Sequence, residues 1–185
     1  MKIYFSGAHS VGKSSLAWYA SKKYSLPMIS ETARMILSEQ ELQIDTLRYD
    51  LNVVDQYQQQ VFDRQLIEEQ KHSAFVSDRS AIDILAYSAQ HSRILPELLY
   101  SKELEQYIEK LNTNNSCVFF IRPSKATLKE DGVREIINWD GIIAIDAMIK
   151  LLFQMYNIRY YQINTDNMQE RINFIDNILS LIKTQ

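Results

Sequence analysis

The chain has 185 residues, of which 46% are hydrophobic and 23% charged, and its net charge is −3. That length buries a core in one domain without disulfide or metal staples, and the mild negative charge gives no general drive toward nucleic acid or an anionic membrane. The single cysteine, Cys117, excludes an internal disulfide and points to a reducing cytoplasm; no run reaches the ~20 apolar residues of a membrane helix, and the opening residues are too short an apolar stretch for a signal peptide.

The first predicted strand, over 2–6, runs into GAHSVGKS, which fits G-x-x-x-x-G-K-[ST] with Gly7, Gly12, Lys13 and Ser14 in the fixed places. The chain has only four glycines, so placing two of them here concentrates its backbone freedom in one motif. KSSLAWYASKKY then reads as a helix. A strand, a glycine-bearing loop and a helix N-terminus make a cradle for the phosphates of a nucleoside triphosphate. The nucleotide-binding candidates are Gly7, Ala8, His9, Ser10, Val11, Gly12, Lys13, Ser14 and Ser15. Lys13 would neutralise the β- and γ-phosphates and the Ser14 hydroxyl would hold Mg²⁺. His9 reads as a loop-tip side chain and not as a catalytic base, and Ser15 as a helix position.

A second strand over 27–30 is followed by SETAR. Glu31, at the carboxyl end of that strand, faces the cleft where a carboxylate could take a proton from an attacking hydroxyl; Arg34, a turn further, could clamp a polar or anionic group. A long helix is predicted over 46–71 from apolar residues at three- and four-residue steps, and its glutamine-rich stretch DLNVVDQYQQQVFDRQ reads as an exposed face without a role. The third strand, over 74–77, leads into FVSDRSAIDILAY. Asp78 resembles a Walker B aspartate that supports Mg²⁺. Arg79 follows where vigorous ATPases carry glutamate, and an arginine there suits a substrate or its phosphate. Asp83 and Tyr87 stand four residues apart on one face of a helix over 81–90, as substrate-contacting groups would.

A helix over 102–111 precedes the fourth strand, 117–122, in which Cys117 reads as core. Pro123 ends that strand. The polar segment 123–138, preceded by Arg122 and carrying Lys125, Lys129 and Arg134 around Gly132, reads as a small lid in which Arg134 is the functional arginine. Helices over 141–156 and 166–182 flank a fifth strand over 159–163, and Asn164-Thr165 is the predicted cap of the last helix. Apolar strands alternating with helices predict a doubly wound fold, whose ligands gather at the carboxyl ends of the strands.

GAHSVGKSS, SETAR, SDRSAIDILAY and EDGVRE occur in the order and spacing of the small P-loop kinase-like proteins related to the nicotinamide riboside kinase domain of bacterial NAD regulators, and the chain resembles that family over roughly residues 1 to 165. Such proteins occur in bacteria and phages, often labelled AAA domain. A more distant likeness is to thymidylate kinase and the deoxynucleoside kinases. The resemblance implies a P-loop NTPase α/β/α sandwich with a mainly parallel five-stranded sheet and a small lid, all within one domain, 1–185. It implies a kinase that uses ATP and Mg²⁺, with Lys13, Glu31, Asp78 and Arg134 as catalytic residues. Ser14 and Asp78 would hold the metal, and Glu31, Arg34, Arg79, Asp83 and Tyr87 would meet the acceptor.

The expected reaction is γ-phosphate transfer to a nucleoside, a nucleotide or a nicotinamide-riboside-like molecule. Two alternatives stand beside it: an ATP-binding switch or ATPase acting on a protein partner, and a kinase of a hydroxymethyl-pyrimidine base in DNA. The first is disfavoured by Arg79 after Asp78, and the second by the acidic balance of the chain. A small-molecule acceptor is the expected partner, no membrane is involved, and a homodimer is left open.

Overall fold

The computed structural model describes residues 1–39, 50–125 and 139–183. Its sheet consists of β1 (Lys2–Ser6), β2 (Met28–Ile29), β3 (Phe75–Asp78), β4 (Ser116–Ile121) and β5 (Tyr161–Ile163), in the order β2-β3-β1-β4-β5. Every pairing is parallel, and Phe5 of β1 stands level with Asp78 on one side and Phe119 on the other. The central strands are buried along nearly their whole length, which explains why their sequences run apolar without alternation. The rings of Phe5 and Phe119 stack at 5.5 Å across the middle of the sheet. From β1 the chain goes to β2 and β3 on one side, then to β4 and β5 on the other. The carboxyl end of β1 is therefore the switch point where a cleft opens.

Eight helices are described: α1 (Lys13–Tyr24), α2 (Thr32–Glu39), α3 (Leu51–Gln70), α4 (Ala81–His91), α5 (Leu95–Leu99), α6 (Lys102–Leu111), α7 (Trp139–Met155) and α8 (Met168–Lys183). α4 packs against both α3 and α7 and is buried from Ala81 to Ala86 without a break. It is an interior helix, apolar almost all round. Among the described residues no helix is long and apolar enough to cross a membrane.

The five strands and the longer helices lie where the sequence puts them, and the departures have local causes. The predicted long helix begins at Leu51, where the Asp50 side chain accepts from the Asn52 amide; residues 46–49 are outside the described part. The last helix is capped by Asn167 and not by Asn164-Thr165, because the Asn167 side chain accepts from the amides of Gln169 and Glu170. α5, a five-residue helix with proline in its first turn, is too short to show a period. The glutamine stretch of α3 is not an exposed face throughout: Gln58 and Gln65 are buried.

Candidate active site

The loop after β1 is shaped by two glycines in different ways. Gly7 has φ 148°, and a β-carbon there would come within 2.5 Å of the Ile121 carbonyl oxygen, so no side chain fits. Gly12, at φ 91°, is the N-cap of α1. Between them Ser10 sits at φ 61°, a left-handed conformation that serine seldom adopts.

Side chains from distant parts of the chain hold this loop. The Asp83 carboxylate accepts from the Gly7 amide at 2.8 Å, from Ser6 Oγ at 2.8 Å, from the Ser80 amide at 2.9 Å and from Ser80 Oγ at 2.7 Å. Arg171, from α8, donates through Nη1 to the Val11 carbonyl at 2.6 Å and through Nε to the Thr165 carbonyl at 2.6 Å. In the middle of the loop, Lys13 Nζ donates to the Ala8 carbonyl. Lys13 is only 5% exposed. Burial, aided by the Arg79 charge, lowers its pKa to about 7, and Asp78, Asp83 and Glu31 oppose that shift.

Across the cleft, β2 and β3 deliver Glu31, Asp78 and Arg79. Glu31 Oε1 accepts from Nε and Nη2 of Arg79, both at 2.8 Å, and Oε2 pairs with Arg34 Nε at 2.7 Å. Burial pushes the Glu31 carboxyl up, but the charges of Arg79, Lys13 and Arg34 more than offset it and hold the carboxyl below its ordinary range. Arg79 itself has φ 101°, a strained backbone for a residue with a β-carbon and a feature that gathers at functional sites. Its guanidinium lies 4.8 Å from the Tyr87 ring centroid, and the Tyr87 hydroxyl hydrogen-bonds His9 Nδ1 at 3.0 Å. Among the described residues, neither Asp78 Oδ1 nor Arg79 Nη1, both buried, has a hydrogen-bond partner.

Ser14, Met28, Ser30, Glu31, Arg34, Met35, Ser38 and Asp78 line a cleft of about 570 Å³. The geometry thus gathers the loop lysine and serine, the two carboxylates and the two arginines at the carboxyl end of the sheet. Ser15 is exposed on the first turn of α1, and Ala8 and Val11 are buried under the loop. Asp83 departs from the expected acceptor contact: both its oxygens are taken by the loop and the start of α4, and it does not line the cleft. Tyr87 stands behind Arg79, supporting its side chain. The lid positions Lys129, Gly132 and Arg134 lie outside the described residues.

Sequence reasoning missed Arg171. It occupies the first place of an apolar stripe on α8, ahead of Ile175 and Leu179, which are fully buried as it is. A cation in such a stripe is the signal that could have found it.

A family model described as AAA domain matches residues 2–171. No curated protein matches the chain significantly. Among solved structures, the chain is similar to deoxyadenosine kinase from M. mycoides with bound dCTP, with a TM-score of 0.69 and 15% identity over 97% of this chain and 99% of that one. It is also similar to the NadR protein in complex with NAD and AMP-PNP, with a TM-score of 0.74 and 11% identity over 100% of this chain and 50% of the other. Shikimate kinase from Acinetobacter baumannii in complex with shikimate has a TM-score of 0.59 and 12% identity, over 99% of this chain and 93% of that chain. At such identities the likeness shows the fold, which is that of the P-loop small-molecule kinases.

Proposed function

The chain belongs to the AAA domain family whose model it matches, and from that premise we propose that it is an ATP-dependent kinase transferring the γ-phosphate to a hydroxyl of a nucleoside-like small molecule. One observation carries the reading: the Arg79-bound Glu31 shares a single cleft with Ser14 and Asp78, directly beside the phosphate loop.

The residues fit a magnesium–nucleotide complex. Among the described residues Asp78 Oδ1 is buried without a partner and no three side chains form a cage of His, Cys, Asp or Glu, and Ser14 opens into the same cleft. That is the donor set of a cation held by one or two protein groups and by phosphate oxygens. Ser14 and Asp78 would hold Mg²⁺, which when bound supplies positive charge against the β- and γ-phosphates.

The chain's own groups do the rest. Lys13 leaves the Ala8 carbonyl for the triphosphate and takes up its full charge there. Glu31, kept ionised by its arginines, is a weak base. It orients the acceptor hydroxyl and receives its proton late, as the phosphoryl group moves across. Arg79, whose Nη1 is unpartnered among the described residues, donates to the acceptor oxygen or to the transferring group. Positioning and charge carry the acceleration more than base strength does.

The test is incubation with γ-labelled ATP and Mg²⁺ over nucleosides and nicotinamide riboside, which offer a hydroxyl, and over nucleoside monophosphates, whose conversion to diphosphates would overturn transfer to a hydroxyl. Label should pass to one acceptor, and Glu31→Ala or Asp78→Ala should abolish transfer while ATP binding persists. Label found only in inorganic phosphate, at a rate no acceptor alters, or full turnover in both variants, overturns the proposal.

A further inference from the structure

Helix α3 carries Gln65 and Glu69 one turn apart, and both side chains are buried, Gln65 completely. Gln65 Nε2 donates to Glu69 Oε1 at 2.9 Å and to Ser77 Oγ at 3.0 Å, while its Oε1 accepts from Thr32 Oγ1 at 3.2 Å. Glu69 Oε2 accepts from the Tyr4 hydroxyl at 2.7 Å, and Oε1 accepts from the Tyr107 hydroxyl at 3.2 Å. The Tyr107 hydroxyl in turn accepts from the Ala81 amide at 3.1 Å.

Three ends of this network, at Thr32, Ser77 and Ala81, stop next to residues in or around the candidate site. Thr32 follows Glu31, and Ser77 precedes Asp78. Ala81 follows Ser80, which shares Asp83 with the first residue of the phosphate loop. One buried pair on α3 therefore touches β1, β3, α2 and α6, and reaches the start of α4 through the Tyr107 hydroxyl. A buried polar cluster of this size adds little stability over a well-packed apolar core, but it fixes geometry, because each directional bond is lost if its element shifts.

We propose that Gln65 and Glu69 are positioning residues for phosphoryl transfer: they hold the Glu31 corner, the Asp78 strand end and the start of α4 in a single frame. The inference rests on the kinase reading above. Burial raises the Glu69 carboxyl to about 7, and the pull of Gln65, Tyr4, Tyr107 and Lys2 offsets it only in part.

The experiment compares Thr32→Val, Ser77→Ala, Gln65→Leu and Thr32→Ser in the full chain. Each of the first three should lower kcat about tenfold, with KM for ATP within about twofold. Gln65→Leu should cost at least as much as the Thr32→Val/Ser77→Ala double variant, since it cuts the same two bonds and the bond to Glu69 as well. Thr32→Ser, which keeps the hydroxyl, should restore kcat. If Thr32→Val and Ser77→Ala keep wild-type kcat and lower only Tm, the network is structural and the proposal falls.

A wild-type chain that transfers to no acceptor refutes the kinase reading instead. Positioning is then judged by the gain in ATP affinity that Mg²⁺ produces. That gain should shrink several-fold in Ser77→Ala and Gln65→Leu, and an unaltered gain overturns the proposal.

Discussion

Binding of ATP should draw a proton onto Lys13. Its ammonium is buried against the Ala8 carbonyl, and burial together with Arg79 brings its pKa down to about 7 from the ordinary lysine value of 10.5. A triphosphate placed beside it adds negative charge to that of Asp78, Asp83 and Glu31, so the pKa in the complex rises. The sign follows: the complex binds more protons than its parts, and raising the pH opposes binding from the unliganded pKa up to the liganded one. Uptake should be about 0.1 proton at pH 6, about 0.5 at pH 7 and about 0.9 at pH 8, with affinity for Mg²⁺·ATP falling toward tenfold per pH unit above 7. Titration calorimetry in phosphate and in Tris, whose ionisation enthalpies differ, reads the uptake directly. Lys13→Met should abolish it. Tight binding at pH 8 with no proton uptake refutes the reasoning.

Gly7→Ala should cost ATP affinity about a hundredfold or prevent folding, because the new β-carbon meets the Ile121 carbonyl at 2.5 Å; calorimetry and a thermal melt distinguish the two. Asp83→Ala strands the Gly7 and Ser80 amides and two hydroxyls. It should lower stability by about 3 kcal/mol, seen as a Tm fall of about 6–12 °C. Glu31→Gln keeps the shape but removes the charge, and should reduce kcat by about 10²–10⁴ with ATP affinity nearly unaltered. Because the folded-state Glu31 carboxyl lies below its ordinary value, its stabilising contribution is present above the unfolded pKa and is lost as the pH falls through the folded one. Acid unfolding of Glu31→Gln should therefore be shallower than that of the wild type.

The phosphate loop, the strand ends and their carboxylates were legible because each depends on a short stretch with its own chemistry. Gly7, Gly12 and Lys13 sit at fixed spacing, and Asp78-Arg79 ends an apolar strand. What holds these pieces together was not legible. Arg171 lies 160 residues from Val11, and no local pattern encodes such a pairing. Gln65 looked like its surface neighbours on α3, since only the burial of the far side of that helix separates it from Gln56 and Gln60. Asp83 shares a helix face with Tyr87, as the spacing predicts, but Ser80, the N-cap of its own helix, and Ser6 and Gly7, which arrive from β1 and the loop after it, take its oxygens. Periodicity assigns a face; the partners arriving at that face come from the fold.

On the proposed kinase reading the γ-phosphate goes to an alcohol and not to water. Phosphorus NMR of the reaction with Mg²⁺·ATP and the acceptor panel follows that phosphate atom itself. Transfer to a hydroxyl gives a new phosphomonoester resonance rising one-for-one with ADP in the presence of one acceptor, with inorganic phosphate a minor product. Inorganic phosphate as the sole product, formed at the same rate with every acceptor and with none, would contradict it.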